Sequence, residues 1–264
     1  MFRQLIAYLQ FLWKATNEHG VHSPFIFNLV TKCFYDKTIY DDYSVLERHR
    51  FNLINNNEFL SVTDFGVGSK VFKSNNRKIA EIAKTAGISK KRAALLFRIV
   101  RYLQPEYILE LGTSVGLATA TLSLGNPKAN ITSLEGCPNT MLIAKSTFSK
   151  WITTGLIPNN IHFIATEFST YLASQSVVSK KFDLIYFDGN HQKEATICYF
   201  DYLLPTATAN TVWIFDDIHW SDEMEAAWEH IKNHTKVRVT IDTFRWGLVF
   251  FRTEQAKQHF VIRV

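Results

Sequence analysis

Cysteine is scarce. Cys33, Cys137 and Cys198 are the only three, an odd number with no pair at metal-ligand spacing. This excludes a disulfide framework and a cysteine-built zinc site, and it leaves free thiols in a reducing compartment as the expectation. Long apolar runs are missing too: no stretch approaches the roughly 20 residues that a membrane span needs. Basic runs stop at Ser89-Lys90-Lys91-Arg92, so the net charge of +5 is spread along the chain. It favours anionic partners weakly, and a nucleic-acid-binding surface is not expected. There is no internal repeat and no low-complexity segment. The first residues, Met1 to Ile6, run into a polar and aromatic helical pattern without a small-residue cleavage site. The expected location is therefore the cytoplasm, with no membrane among the partners.

What is present fits an ordinary globular enzyme-sized chain. Of 264 residues, 47% are hydrophobic and 20% charged, which is close to average usage and enough to bury a large core. The 21 Phe residues point to a thick apolar interior.

The chain changes character near residue 105. Before it the pattern predicts helices over 2–16, 24–34, 44–55, 76–85 and 90–103, the second opened by Ser23-Pro24 as an N-cap with proline at the first helical position. After it, short apolar strands alternate with helices. Strands are expected at 107–111, 130–135, 161–165, 182–188, 211–216, 237–242 and 247–252, with helices at 116–124, 140–151, 168–173, 194–204 and 223–233. Alternation of this kind implies a parallel sheet covered on both faces. The last two strands are separated only by Thr243–Trp246 and must be antiparallel neighbours, since a parallel return needs a longer crossover. The expected fold is α/β: a doubly wound, mostly parallel, seven-stranded Rossmann-like sheet with a C-terminal antiparallel hairpin. The expected division is a helical N-terminal extension or lid over 1–89 and a catalytic domain over 90–264.

The most informative stretch is Ile108-Leu109-Glu110-Leu111-Gly112-Thr113-Ser114-Val115-Gly116. An apolar strand ends in an acid, a glycine follows, and a second glycine opens a helix. Ligands in such sheets bind beyond the carboxyl ends of the strands. The G-x-x-x-G spacing is not the G-x-G-x-x-G of dinucleotide binders. A carboxylate at Glu110 would repel a phosphate and suits a cationic ligand with an amino group. Glu135, followed by Gly136, ends the second strand 23 positions after Gly112, a separation at which an acid accepts hydrogen bonds from a ribose diol. Glu167, after the third strand, is placed to meet an adenine amine. The pair Gly66 and Gly68 in Asp64–Gly68 is similar but lacks a following βαβ pattern; it reads as a loop.

On these residues the chain resembles class I S-adenosylmethionine-dependent methyltransferases, closest to the catechol- and caffeoyl-type O-methyltransferases and their bacterial relatives. Leu109 to Gly116 matches that group's first motif, E-[IL]-G-T-x-x-G, and the resemblance covers about residues 90–252. It implies that Glu110, Gly112, Thr113, Ser114 and Gly116 face the methionine part of S-adenosylmethionine. Glu135 and Gly136 would hold the ribose, and Glu167, where the group more often has Asp, would lie near adenine.

A second constellation sits at later strand ends: Asp188-Gly189-Asn190-His191 and Asp216-Asp217-Ile218-His219. Carboxylates gathered at one sheet edge need a cation between them, and oxygen ligands suit Mg²⁺ or another divalent ion. The resemblance implies metal ligation by Asp188, Asp216 and Asp217, the last standing where the relatives carry Asn, with Asp188 also close to the cofactor. His191 stands where the relatives carry a catalytic Lys. Histidine is suited to taking a proton from a methyl acceptor near neutral pH, which makes His191, with Asp188, the expected catalytic pair. His219 reads as structural. The His19–Phe25 segment reads as a helix connector. Trp220 and Trp246 lie where an aromatic acceptor could stack or where the core needs them.

The expected activity is methyl transfer to a hydroxyl of a small, possibly aromatic molecule with help from a divalent metal, in a chain that can form a homodimer. The alternatives are an RNA or protein acceptor, or a cofactor-binding protein without turnover.

Overall fold

The computed structural model describes residues 2–63, 74–174, 177 and 179–264. The Asp64–Gly68 glycine pair lies outside them. Along the chain run α1 (Phe2–Lys14), α2 (Pro24–Leu29), α3 (Asp42–Ile54), β1 (Phe59–Ser61), β2 (Asn76–Lys78), α4 (Ile79–Thr85) and α5 (Lys90–Leu103). Then come β3 (Tyr107–Leu111), α6 (Leu117–Gly125), β4 (Asn130–Glu135), α7 (Pro138–Thr153), β5 (Ile161–Ala165) and α8 (Phe168–Leu172). The chain ends with β6 (Leu184–Phe187), α9 (Lys193–Leu203), β7 (Val212–Asp216), α10 (Asp222–Asn233), β8 (Val239–Asp242), β9 (Trp246–Phe250) and β10 (Gln258–Val261). Two compact units form, residues 36–168 and residues 1–35 with 169–264.

In the 36–168 unit, β3, β4 and β5 pair in parallel, and the register sets Glu110 beside Ser133. The core holds Leu46, Phe97, Ala120, Leu124, Phe148 and Trp151. Short antiparallel strands β1 and β2 interrupt a region whose pattern predicts only helices and loops.

In the other unit the strand order is β10-β8-β9-β7-β6. β6 and β7 are parallel, while β9 runs antiparallel to both β7 and β8. Every residue of β6, β7 and β9 is buried, as strands covered on both faces must be. Besides β1 and β2, eight strands are described where the sequence pattern predicts seven. The addition, β10, pairs in parallel with β8; its side chains are exposed or half-buried, so it carries no apolar run to announce it.

Local chemistry explains the helix starts. The Ser23, Ser89 and Ser221 side chains accept from the backbone N–H groups of Ile26, Arg92 and Met224. Asp222, Glu223 and Glu225 occupy the first turn of α10, complementing the positive end of its dipole. The His19–Phe25 segment is a capped connector: Asn17 caps a short turn at 18–20, and Phe25 packs edge-on against Phe250.

His49, on α3, is wholly buried between Phe148 and Trp151. Its Nε2 lies 3.2 Å from the Gly116 carbonyl. A carbonyl only accepts, so Nε2 carries the proton, and Nδ1 has no partner among the described residues. Burial pushes the imidazole down from 6.5 to about 4, against the smaller opposing effect of the Gly116 carbonyl. A depressed pKa gives stability that is present above 6.5 and is lost as pH falls through about 4. At about 1.4 kcal/mol per unit, the full loss is about 3 kcal/mol. Urea unfolding between pH 7 and 4 is expected to show wild type losing stability faster than His49→Gln; equal slopes would remove His49 as the cause.

Candidate active site

The 36–168 unit builds a cradle from the turn between β3 and α6. The Gly112 and Thr113 N–H groups both donate to the Leu134 carbonyl, at 2.9 and 3.0 Å, which ties the turn to β4. Three residues of the turn are left-handed: Gly112 at φ 113°, Ser114 at 49° and Gly116 at 86°. Ser114 is held there at a cost, since side-chain-bearing residues avoid this region. The device that holds it is Glu135. One oxygen of this carboxylate accepts from the Ser114 N–H at 2.8 Å and the other from the Cys137 N–H at 2.9 Å. Gly116 is required sterically as well, because a Cβ there would come within 2.7 Å of the Phe148 ring.

Beneath the turn lies a closed polar network. Glu110, Thr119 and Ser133 are fully buried and Thr113 nearly so. Thr119 and Ser133 donate to the same Glu110 oxygen, Oε2, at 2.7 and 2.5 Å. Ser133 spends its proton on Glu110, so Thr113 donates to Ser133 across 2.5 Å. The other oxygen, Oε1, has no hydrogen-bond partner among the described residues. Burial raises the Glu110 pKa from 4.5 to about 7, resisted by the hydroxyls of Ser133 and Thr119 and assisted by the nearby Glu135 charge. A buried carboxylate oxygen without a donor is costly, and a cationic donor would relieve it. Gly136 is half-buried beside this network, and Glu167 is exposed after β5.

The expected metal triad is not assembled. Asp188, Asp216 and Asp217 all end strands of the other unit, but among the described residues no three His, Cys, Asp or Glu side chains are placed to hold a metal ion. The reason is local. Asp217 sits at φ 53°, and Arg245 lies 3.5 Å from its carboxylate, supplying the cation that an ion would otherwise provide. Asp216 is buried and accepts from the Asp217 N–H at 2.8 Å. These residues do not fit a divalent ion, and the sequence pattern held no sign of the arginine, which comes from the β8–β9 turn.

Asp188 and His191 do come together. His191 Nε2 lies 3.9 Å from Asp188 Oδ1, and the Tyr186 hydroxyl donates to Asp188 Oδ2 at 3.3 Å. The intervening Asn190 is left-handed at φ 51° and is pinned by a 3.0 Å bond from its amide to the Tyr199 hydroxyl. Strained residues thus punctuate both strand-end clusters, a distribution typical of functional turns.

His219 is held between carboxylates, with Nδ1 3.0 Å from Glu225 and Nε2 2.8 Å from Asp242. Burial opposes its charge, but Asp242 and then Glu225 outweigh it and raise its pKa. With both ring nitrogens occupied, it serves structure. Trp246 is buried against Tyr186 and belongs to the core.

A small cleft opens in the 36–168 unit, lined by residues that include Tyr43, Leu46, Arg50, Ile88, Leu117 and Thr121. None of the cradle residues Glu110, Gly112, Ser114 or Glu135 lines it, and the functional reading rests on the cradle.

Residues 109–218 match a family model described as a methyltransferase domain. The matched stretch runs from β3 to just past β7 and takes in the Glu110–Gly116 turn, Glu135 and the Asp188–His191 turn. No curated protein sequence matches the chain. Solved structures resemble it in fold. The S-adenosylhomocysteine-bound methyltransferase PaMTH1 of Podospora anserina is 15% identical at a TM-score of 0.58, over 88% of this chain and 97% of that one. An O-methyltransferase from Bacillus cereus in complex with S-adenosylhomocysteine is 17% identical at 0.54, over 84% and 94%. TomG of Streptomyces achromogenes, an O-methyltransferase of tomaymycin synthesis in complex with S-adenosylmethionine, is 13% identical at 0.54, over 81% and 91%.

Proposed function

We infer that this chain transfers the methyl group of S-adenosylmethionine to a hydroxyl of a small molecule. The observation that carries the reading is the unpartnered Glu110 oxygen beneath a strained glycine turn. A carboxylate buried under this turn would repel a dinucleotide's phosphates, whereas it complements an ammonium or a sulfonium. The bound cofactor supplies an electrophilic methyl group on a positively charged sulfur. Glu110 neutralises positive charge, the Ser114 turn closes on the ligand, and Glu135 sets the shape of that turn and offers oxygens to a ribose diol.

The acceptor hydroxyl must lose its proton as the new O–C bond forms. His191 takes it, and Asp188 stabilises the imidazolium at 3.9 Å. No step is assigned to a metal, because Arg245 already answers the Asp217 charge.

Isothermal calorimetry tests this reading. S-adenosylmethionine is expected to bind, and Glu135→Ala to weaken binding by about tenfold to a hundredfold, since hydrogen bonds to charged groups contribute about 1.5–3 kcal/mol. Mg²⁺ or a chelator is expected to change neither binding nor turnover. Failure to bind S-adenosylmethionine would overturn the reading, and turnover abolished by the chelator would reinstate the Asp188, Asp216 and Asp217 metal site.

A further inference from the structure

Helix α1 is built inside out. At 100° per residue its side chains Tyr8, Leu12, Leu5, Leu9, Trp13 and Ile6 fall, in that angular order, within an arc of roughly 160°. All six are exposed, from 36% at Leu12 to 57% at Leu9 and 87% at Trp13. Anchoring comes from the opposite side. Ala7 and Phe11 are buried, and Phe11 and the marginal Tyr8 pack against Phe244, tilted and edge-on, with centroids 5.5 and 4.8 Å away. Arg3 pairs with Asp222 and Glu225 and reaches the His219 carbonyl. In an ordinary surface helix the apolar stripe faces the core; here it faces outward. Six large apolar side chains at these exposures make a patch on the order of 600 Å², at the upper end of what a monomer normally presents.

We propose that this face docks on an anionic lipid membrane, with α1 lying flat in the interface. Three features favour a lipid surface over another protein. The arc is wider than the narrow seam with which one helix grips another, and width suits a plane. Arg3 is already paired, but α1 carries no acid and has Lys14 in its last turn; the exposed Arg263 follows Ile262, which bridges to Thr16 just beyond the helix end, and the whole chain carries +5. Trp13 and Tyr8, near the two margins of the arc, are the residue types that settle at the headgroup level. A helix of 13 residues is about 20 Å long, short of the roughly 30 Å hydrocarbon layer, and no described helix is long and apolar enough to cross a membrane. The docking is therefore interfacial, of the kind that combines apolar burial with electrostatic attraction. It adds a membrane surface where the sequence pattern leads to the expectation of no membrane among the partners.

Co-sedimentation of the full chain with phosphatidylglycerol vesicles tests the proposal. The chain is expected to pellet with them and to bind phosphatidylcholine vesicles more weakly. The double variant Leu5→Glu/Leu9→Glu is expected to lower the bound fraction at least tenfold. Both side chains are exposed, so its thermal melt and its cofactor affinity are expected to match wild type, which separates this result from any failure of the cofactor reading. Wild type remaining in the supernatant, or equal binding by the variant, would overturn the proposal. So would a dimer in light scattering that the variant dissolves without any lipid binding, an outcome that assigns the face to a second copy.

Discussion

Replacing His191 with alanine is expected to lower kcat by about 10²–10⁴-fold, the usual contribution of a positioned general base. The cofactor affinity is expected to stay within about twofold of wild type, because the charged partner of this side chain is Asp188 and not a cradle group. His191→Asn separates the two roles the imidazole can play: the amide still forms hydrogen bonds but cannot accept a proton at working pH. Proton removal predicts that Asn is as impaired as Ala. A variant that retains wild-type turnover would end the assignment. Asp188→Asn is expected to lie between, since it keeps the shape of the pair and removes the charge that stabilises the imidazolium. Asp217 offers a control of opposite meaning. A charge answered by Arg245 is structural, so Asp217→Asn, the residue that the resembling enzymes carry there, is expected to leave turnover near wild type.

Much of this architecture is legible in the sequence because the signals are local. Short apolar strands after residue 105, the Glu110–Gly116 motif and the Asp188–His191 spacing each sit within one strand and the turn that follows it. The serine cap at 23 is equally local. What the sequence conceals depends on register and on partners far along the chain. Nothing near Glu110 indicates that its carboxylate bonds to Ser133, which the parallel register of β3 and β4 sets alongside it. Nothing near Asp217 indicates Arg245, which arrives from a hairpin turn. Three acids at strand ends read as a metal site until that cation is in place. His49 raised no signal in a helix that lies outside the motif-bearing region, yet it bonds the carbonyl of Gly116. Helix α1 shows a different limit. Its apolar spacing identifies a helix correctly, but periodicity reports only that one face is apolar and is silent on what that face meets.

Glu110→Gln is expected to move stability and ligand affinity in opposite directions. In the folded chain the carboxyl is raised from 4.5 to about 7 by burial. A raised pKa gives stability that is fully present below 4.5 and is lost as pH rises through about 7. At pH 8 the ionised side chain therefore costs about 3 kcal/mol relative to a neutral one. Glutamine is neutral at every pH, and its carbonyl can keep the bonds from Thr119 and Ser133, leaving its NH₂ at the position of the unpartnered Oε1. Allowing about 1 kcal/mol for that unpaired donor, the variant is expected to gain about 2 kcal/mol at pH 8 and none at pH 4. The cationic ligand loses its countercharge, so S-adenosylmethionine affinity at pH 8 is expected to fall about tenfold to a hundredfold. Wild type carries a further signature. Near pH 7 the carboxyl is about half protonated, and cation binding displaces that fraction; calorimetry in buffers of different ionisation enthalpy is expected to report release of about half a proton, absent in Glu110→Gln. A gain in stability with unchanged affinity would leave Glu110 as a strained core acid and remove it from the cofactor site. Loss of both would mean that the network with Thr113, Thr119 and Ser133 needs the charge itself to hold the glycine turn.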